Sequence, residues 1–299
     1  MSAIPHQPGG EGSGLRPASR ADVAGLPVDV APRLLGGILE VTVDGETVAV
    51  RLTEVEAYHG RGTGSVPDPG SHARMGPTAR NATMWGEPGH LYVYLSHGIH
   101  SCVNVVCGPE GTAGGILLRA GEIVSGRDAA ARRRTATRVP VSAAAVASPS
   151  VPAGVASGPS VPAGVASGPS VPAGAASGPL VPAGAASGPP VPAGVASSPR
   201  ALPDRDLARG PGRLGQAVGL RHPVHDGIDA ITSEPRAGAV ARLLLPDEPL
   251  PETVAGPRVG VAGVAGTAVF PWRFWIDGDP TVSAFRWGRG AREADTRNT

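Results

Sequence analysis

The sequence contains no lysine: all 26 of its basic residues are arginine. Every side-chain amine is therefore missing, and with it side-chain Schiff bases, cofactor aldimines and a phosphate-loop lysine. Cysteine is almost as scarce. Cys102 and Cys107 stand with four residues between them in an apolar stretch, which fits neither a disulfide framework nor a four-ligand zinc site and reads as two small buried thiols in a reducing compartment. No run approaches about 18 apolar residues free of Gly and Pro, so no membrane span is expected. The N-terminal residues also lack the apolar segment of a signal peptide, which makes a cytoplasmic location the expectation. No metal or organic cofactor is implied, because no cluster of ligand residues exists. The formal net charge of +1 gives no strong electrostatic footprint, although residues 61–140 hold nine Arg against five acids, a weak pointer to a phosphate-bearing partner.

Two tracts cannot contribute to a core. Residues 1–20 are rich in Gly, Pro and Ser with no apolar period and are expected to be a disordered tail. Residues 141–203 form a decapeptide repeat in which "VPAG" recurs at 151, 161, 171, 181 and 191. Ten residues are too few for a solenoid unit, so the tract is expected to be a flexible insert in a surface loop. Closing a loop of about 60 rather than about 10 residues costs only on the order of 1.5 kcal/mol, so the flanks, 21–140 and 204–290, are expected to form one domain, followed by a flexible tail over 291–299. The flanks read mostly as strands. A turn at Asp44-Gly45 leads into a strand over Thr47–Tyr58, "GHLYVYLSHGIHSCVNVVC" suits two strands joined near Ser96–Gly98, and "GGILLRAGEIV" adds another. A short helix is expected before Gly36-Gly37 and another in "GPGRLGQAVGL", with later strands in "ARLLLPDE" and "PWRFWIDGDPTVS". The expected fold is α+β: a single domain with a curved, mostly antiparallel β-sheet surrounded by helices.

Chemistry concentrates in "LTEVEAYHG", residues 52–60. Counting by twos, the strand face that carries Val48, Val50 and Leu52 continues with Glu54, Glu56 and Tyr58. Either the strand leaves the core there and its acids are solvated, or it ends at a cleft that holds one of them. Between this point and Arg119 come Tyr58, His72, Tyr94, Asn104 and Arg119 itself. Singly, the tyrosines read as core aromatics, Asn104 as a residue satisfying nearby backbone, and Arg119 as a partner of Glu122 or Glu54. Polar groups set in apolar strands are costly to bury unless they meet, and a cleft where they converge avoids that cost.

The stretches "TEVEAY" (53–58), "HARMGPTARNATMW" (72–85), "PGHLYVYLSHGIHSCVNVV" (88–106), "LLRAGEI" (117–123), "GPGRLGQAVGL" (210–220), "RVGV" (258–261) and "PWRFWIDGDPTVS" (271–283) together resemble the alkyladenine-type, or methylpurine, DNA glycosylases. They occur in that family's order from about residue 25 to 285, with the repeat placed where family members have a short loop. The resemblance implies that Glu56 activates water, that Arg119 helps to position it, and that Tyr58, His72 and Tyr94 sandwich a flipped purine. It implies that Asn104 crowds out the amino group of normal guanine. The position expected to wedge into the duplex, often tyrosine, is His97 here, whose ring offers less stacking area. The implied partner is double-stranded DNA containing alkylated purines, bound by a monomer without a cofactor.

These residue types suit the chemistry. Flipping a nucleotide costs a few kcal/mol, and stacking on an aromatic returns about 1–3 kcal/mol per base. A purine alkylated at N3 or N7 is cationic, which favours π-faces and makes the base a good leaving group. One general base then suffices, with Glu54 as a supporting or solvated acid. A non-catalytic module that binds damaged DNA through the same pocket, and a matrix protein built on the repeat, are the rival readings. The absence of lysine generates a first prediction: borohydride treatment with lesion-containing DNA should trap no covalent complex beyond a minor N-terminal amine product, and robust trapping would show a strand-nicking activity that this sequence should not support.

Overall fold

The structure, a computed structural model, describes residues 14–136, 202–250 and 253–298. Residues 137–201 lie outside the described residues, and the expectation of a flexible insert over 141–203 falls there except for its last two positions.

The first hairpin follows directly from its turn. Asp44 and Gly45 both adopt positive φ, 53° and 79°, the backbone of the tight turn that best matches strand twist. It joins β2 (Ile38–Val43) to β3 (Glu46–His59), pairing Val43 with Glu46 and Val41 with Val48. A second hairpin joins β4 (His90–Ser96) to β5 (His100–Val106) through His97 and Gly98, again at positive φ, 51° and 69°. β6 (Gly114–Ser125) then runs antiparallel to β3 over most of its length.

Chain from both sides of the repeat builds one sheet. β9 (Ala239–Pro246) pairs with β2, and the path reads β1-β9-β2-β3-β6-β5-β4-β8, with β1 (Leu15–Pro17) and β8 (Ile228–Asp229) at its ends. Off this path, β7 (Ala208–Arg209) pairs with β6, while β10 (Thr253–Gly256) pairs with β11 (Arg273–Ile276), which pairs with β3. Each of these pairings is antiparallel. The sheet curls until the Leu243 N–H of β9 donates to the Ala230 carbonyl just past β8, at 2.9 Å.

Among the described residues, helices are short and few. They are α1 (Arg20–Val23), α2 (Pro27–Val30), α3 (Arg127–Thr135), α4 (Pro211–Val218) and α5 (Ala291–Asn298), the longest having nine residues. They cap the sheet more than they surround it. α4 starts on Pro211 and stops at Gly219 with φ 83°, the punctuation its sequence announces. Its Leu214, Ala217 and Val218 seal a core that also contains Leu34, Leu39, Val41, Leu91, Val93, Val103, Val105, Ile116 and Leu118. No described helix is long and apolar enough to cross a membrane.

Three expectations are corrected. The tail boundary at residue 20 is too late, because β1 pairs with β9 from Leu15 onward. The segment expected as a flexible tail from 291 forms α5, fastened by a fully buried Ala291 and an Asp295 carboxylate that accepts the Ala268 N–H at 2.7 Å. The third concerns β3. Leu52 opposes Gly121 and Glu54 opposes Ala120, so Thr53 is an extra residue; Val55 then opposes Leu118, which leaves Arg119 extra on β6. This paired bulge reverses the alternation. The core face runs Val48, Val50, Leu52 and then Val55, Ala57, while Glu54, Glu56 and Tyr58 turn to the opposite face. It lies where one edge of β3 exchanges β2, paired over Glu46–Arg51, for β11, paired over Glu54–Glu56.

Close approach of β6 to β3 beside the bulge depends on Gly121. A Cβ there would stand 2.3 Å from Val50 Cγ1 and 2.5 Å from the Arg51 carbonyl oxygen. Gly121→Ala should therefore cost about 1–3 kcal/mol, seen as a lower urea midpoint; unchanged stability would mean that these strands part freely.

Candidate active site

The reversed face of β3 places its acids among arginines. Glu54 is completely buried, so the solvated alternative for it is excluded. Its Oε1 accepts from Arg119 Nε at 3.0 Å, Arg273 Nε at 2.7 Å and Ser283 Oγ at 3.0 Å, and its Oε2 accepts from the Ser283 N–H at 2.7 Å. Charge-assisted bonds of this kind are what make a buried carboxylate tolerable. Arg119 thus pairs with Glu54 rather than Glu122, which instead faces Arg51 at 2.9 Å.

Glu56, also without exposed surface, is held differently. Its Oε2 accepts from the Tyr58 hydroxyl at 2.7 Å, its Oε1 accepts from the Val259 N–H at 2.7 Å, and Arg119 Nη1 lies 3.3 Å from Oε1. A carboxylate has about four lone-pair sites, and these three neighbours leave room for one more partner. Burial, then the charge of Glu56, raises the Tyr58 pKa well above its usual range and keeps the phenol a donor. Burial works against the Arg119 charge, but Glu56 and Glu54 outweigh it and raise its pKa.

Behind these groups stands a second ion pair. Arg258 and Asp68 are both fully buried and form a two-pronged contact at 2.7 and 2.8 Å. Asp68 also accepts the His59 N–H at 3.1 Å and the Gly70 N–H at 2.9 Å, pinning the loop that carries His72 to the end of β3. The Arg258 guanidinium lies 4.5 Å from the Tyr58 ring centre, so it supports that ring from behind.

Tyr58, His72, Tyr94, Asn104, Arg119 and His97, six of the seven residues singled out in the sequence, line one groove of about 1460 Å³. The seventh, Glu56, lies directly behind three of its lining residues, Tyr58, Arg119 and Val259. His72 meets Tyr94 edge-on with ring centres 4.7 Å apart, and Tyr94 stacks on Tyr92 at 5.4 Å. Burial, then Arg80 and Arg74, hold the His72 imidazole below its usual pKa, which keeps it neutral near pH 7. Burial, then Cys102, pushes the Tyr94 phenol up. Asn104 is opposite Tyr92 in the ladder and donates to its carbonyl at 3.1 Å. His97 sits exposed at the tip of the β4–β5 hairpin, its Nδ1 3.0 Å from Ser96 Oγ.

Sequence reasoning missed the supports: Asp68, Arg258, Arg273, Ser283 and the Val259 N–H. Four of the five fall inside "RVGV" and "PWRFWIDGDPTVS", so their signal was present as motif but not as role. Asp68, in a loop rich in Gly and Pro, carried none. Among the described residues, no group of three or more His, Cys, Asp and Glu side chains is placed to hold a metal ion. Because Asp68 would be left charged and buried, Arg258→Met should destabilise the fold by about 3–5 kcal/mol; a denaturation midpoint close to wild type would show the pair to be dispensable.

The chain is similar to known proteins over most of its length. The family model described as "Methylpurine-DNA glycosylase (MPG)" matches residues 22–163 and 180–280. A relative from Leifsonia xyli, named "Putative 3-methyladenine DNA glycosylase", is 40% identical over 259 residues, covering 87% of this chain and 88% of that protein. Relatives with the same name from Streptomyces avermitilis and Nocardia farcinica are 36% and 38% identical, covering 90% and 87% of this chain and 92% and 87% of their own lengths. With the family model matching most of the chain and these relatives matching nearly end to end, the chain belongs to the methylpurine-DNA glycosylase family, the DNA-3-methyladenine glycosylases of base excision repair.

Proposed function

We propose that this chain is a monofunctional glycosylase that flips an alkylated purine out of duplex DNA and hydrolyses its N-glycosidic bond, leaving an abasic site. The observation that carries the reading is the Glu56 carboxylate, held by Tyr58 and the Val259 N–H immediately behind the aromatic groove. In this reading the flipped base stacks between Tyr58 and the His72–Tyr94 pair, where π-faces favour the positive charge of an N3- or N7-alkylated ring. A neutral His72 adds no repulsion to that charge.

Glu56 takes a proton from a water occupying its remaining lone-pair position, and the resulting hydroxide attacks the sugar carbon as the base departs. Its negative charge also favours the developing oxocarbenium ion. Arg119, fixed by Glu54 and lying against Glu56, orients that water. Asn104 discriminates against normal guanine by crowding its amino group, and His97 enters the duplex at the vacated position. Deaminated purines, being neutral, place a greater demand on leaving-group protonation than the cationic lesions do.

Single-turnover release of 7-methylguanine from a duplex oligonucleotide tests the reading, with wild type and Glu56→Gln compared side by side. The variant should bind the duplex and lose about 10²-fold or more in rate. Retention of more than about a tenth of the wild-type rate removes Glu56 from the role of base. Tight binding without base release by either protein would make the chain a damage-recognition module.

A further inference from the structure

Aromatic side chains are scarce in this protein: three Phe, four Trp and three Tyr in 299 residues. Among the described residues only two of them are substantially exposed, Phe285 at 37% and Trp287 at 38%. They pack edge to face with ring centres 4.9 Å apart. Neither exposure results from a frayed chain end. The segment that carries them begins at Ser283, whose N–H and hydroxyl hold Glu54. It is then fastened to the loop that supplies Val259: the Gly260 N–H donates to the Arg286 carbonyl at 2.8 Å, and the Gly263 N–H donates to the Arg289 carbonyl at 3.0 Å. Gly288 lies so close to this loop that a Cβ there would be 2.0 Å from the Val261 carbonyl oxygen. A rigid strap thus presents an indole to the groove from a backbone tied to Glu54 and to the loop whose Val259 holds Glu56.

The groove itself is larger than one purine requires. Its volume of about 1460 Å³ exceeds the roughly 300–1,000 Å³ that suffices for a drug-sized ligand. Beyond Arg119, its lining includes Arg74, Arg80, Arg209, Arg213 and Arg286 against a single acid, Asp206. Trp287 lies in this cationic wall, next to Arg286. An aromatic face among guanidinium groups is the arrangement that holds a polynucleotide strand, because every base has a π-face and every nucleotide a phosphate.

Resting on the glycosylase reading, we propose that Trp287 is a second stacking site for DNA, taking a nucleobase of the bound strand outside the purine pocket while Arg213 and Arg286 meet its phosphates. The occupant is thus a base next to the lesion or the orphaned partner base, and the site supplements the small ring of His97.

The test uses the full chain and a duplex carrying one tetrahydrofuran abasic analogue, which leaves the purine pocket empty. Affinity is measured for wild type, Trp287→Phe, Trp287→Leu and Trp287→Ala, with thermal melting as the folding control. The Ala and Leu variants should bind about tenfold more weakly, and the Phe variant, which keeps a ring, within about threefold of wild type. The Leu–Phe comparison keeps the result readable if the Ala variant folds poorly. Equal affinity for all four proteins overturns the proposal and leaves the glycosylase reading intact, provided that wild type releases 7-methylguanine. A Phe variant as weak as Leu overturns it as well, since ring stacking would then not be the cause. A wild type that neither binds the duplex nor releases a base overturns both readings.

Discussion

Arg119 from β6 and Arg273 from β11 converge on the one carboxylate of Glu54, which has no exposed surface. Removing three charges from water is costly, and such clusters seldom add to net stability. What this one supplies is position. Through Glu54 the central strand is locked to a neighbour on each side and, through Ser283, to the strap that follows β11. Arg119 is thereby held against Glu56 as well, and the Tyr58 hydroxyl completes the chain of contacts out to the groove wall. A displacement of Glu54 would pass to each of these groups in turn. Reaction chemistry tolerates little such movement, which is why the supporting shell of a site has to be as rigid as the site itself.

The strands that build this arrangement were legible because alternation and turn residues act locally. Asp44-Gly45 and His97-Gly98 announce hairpins, and both sit at positive φ. The helical spacing of Leu214, Ala217, Val218 and Leu220 announces α4, and all four are buried. The pocket residues were legible through resemblance, and they line one groove with Glu56 directly behind it. What local reasoning could not supply was the bulge at Thr53. Alternation by twos assumes an unbroken ladder, and one extra residue sends each later side chain to the other face. The extra residue falls where β3 changes partners, a fact of topology with no local signature. For the same reason the partner of Asp68, 190 positions away in Arg258, could not be read from the loop that carries it.

Net charge conceals how the charges are arranged. The formal value of +1 suggests indifference toward a polyanion. Folding, however, buries Glu54, Glu56 and Asp68 together with Arg119, Arg258 and Arg273 as a balanced set. The groove wall is left with arginines and Asp206. Attraction at short range depends on this local excess, since salt screens charges beyond roughly 8–10 Å. The protein can therefore be close to neutral overall and still present a cationic channel.

The hairpin tip carries a consequence of its own. His97 occupies left-handed backbone, φ 51°, a region that penalises most side chains by about 1–2 kcal/mol and strongly disfavours β-branched ones. Histidine, asparagine and aspartate tolerate it best, and of these three only histidine carries a ring. At this position the backbone narrows the choice of residue before any contact with DNA does. A tip that points in a fixed direction without the help of neighbours must be made of residues that accept that direction.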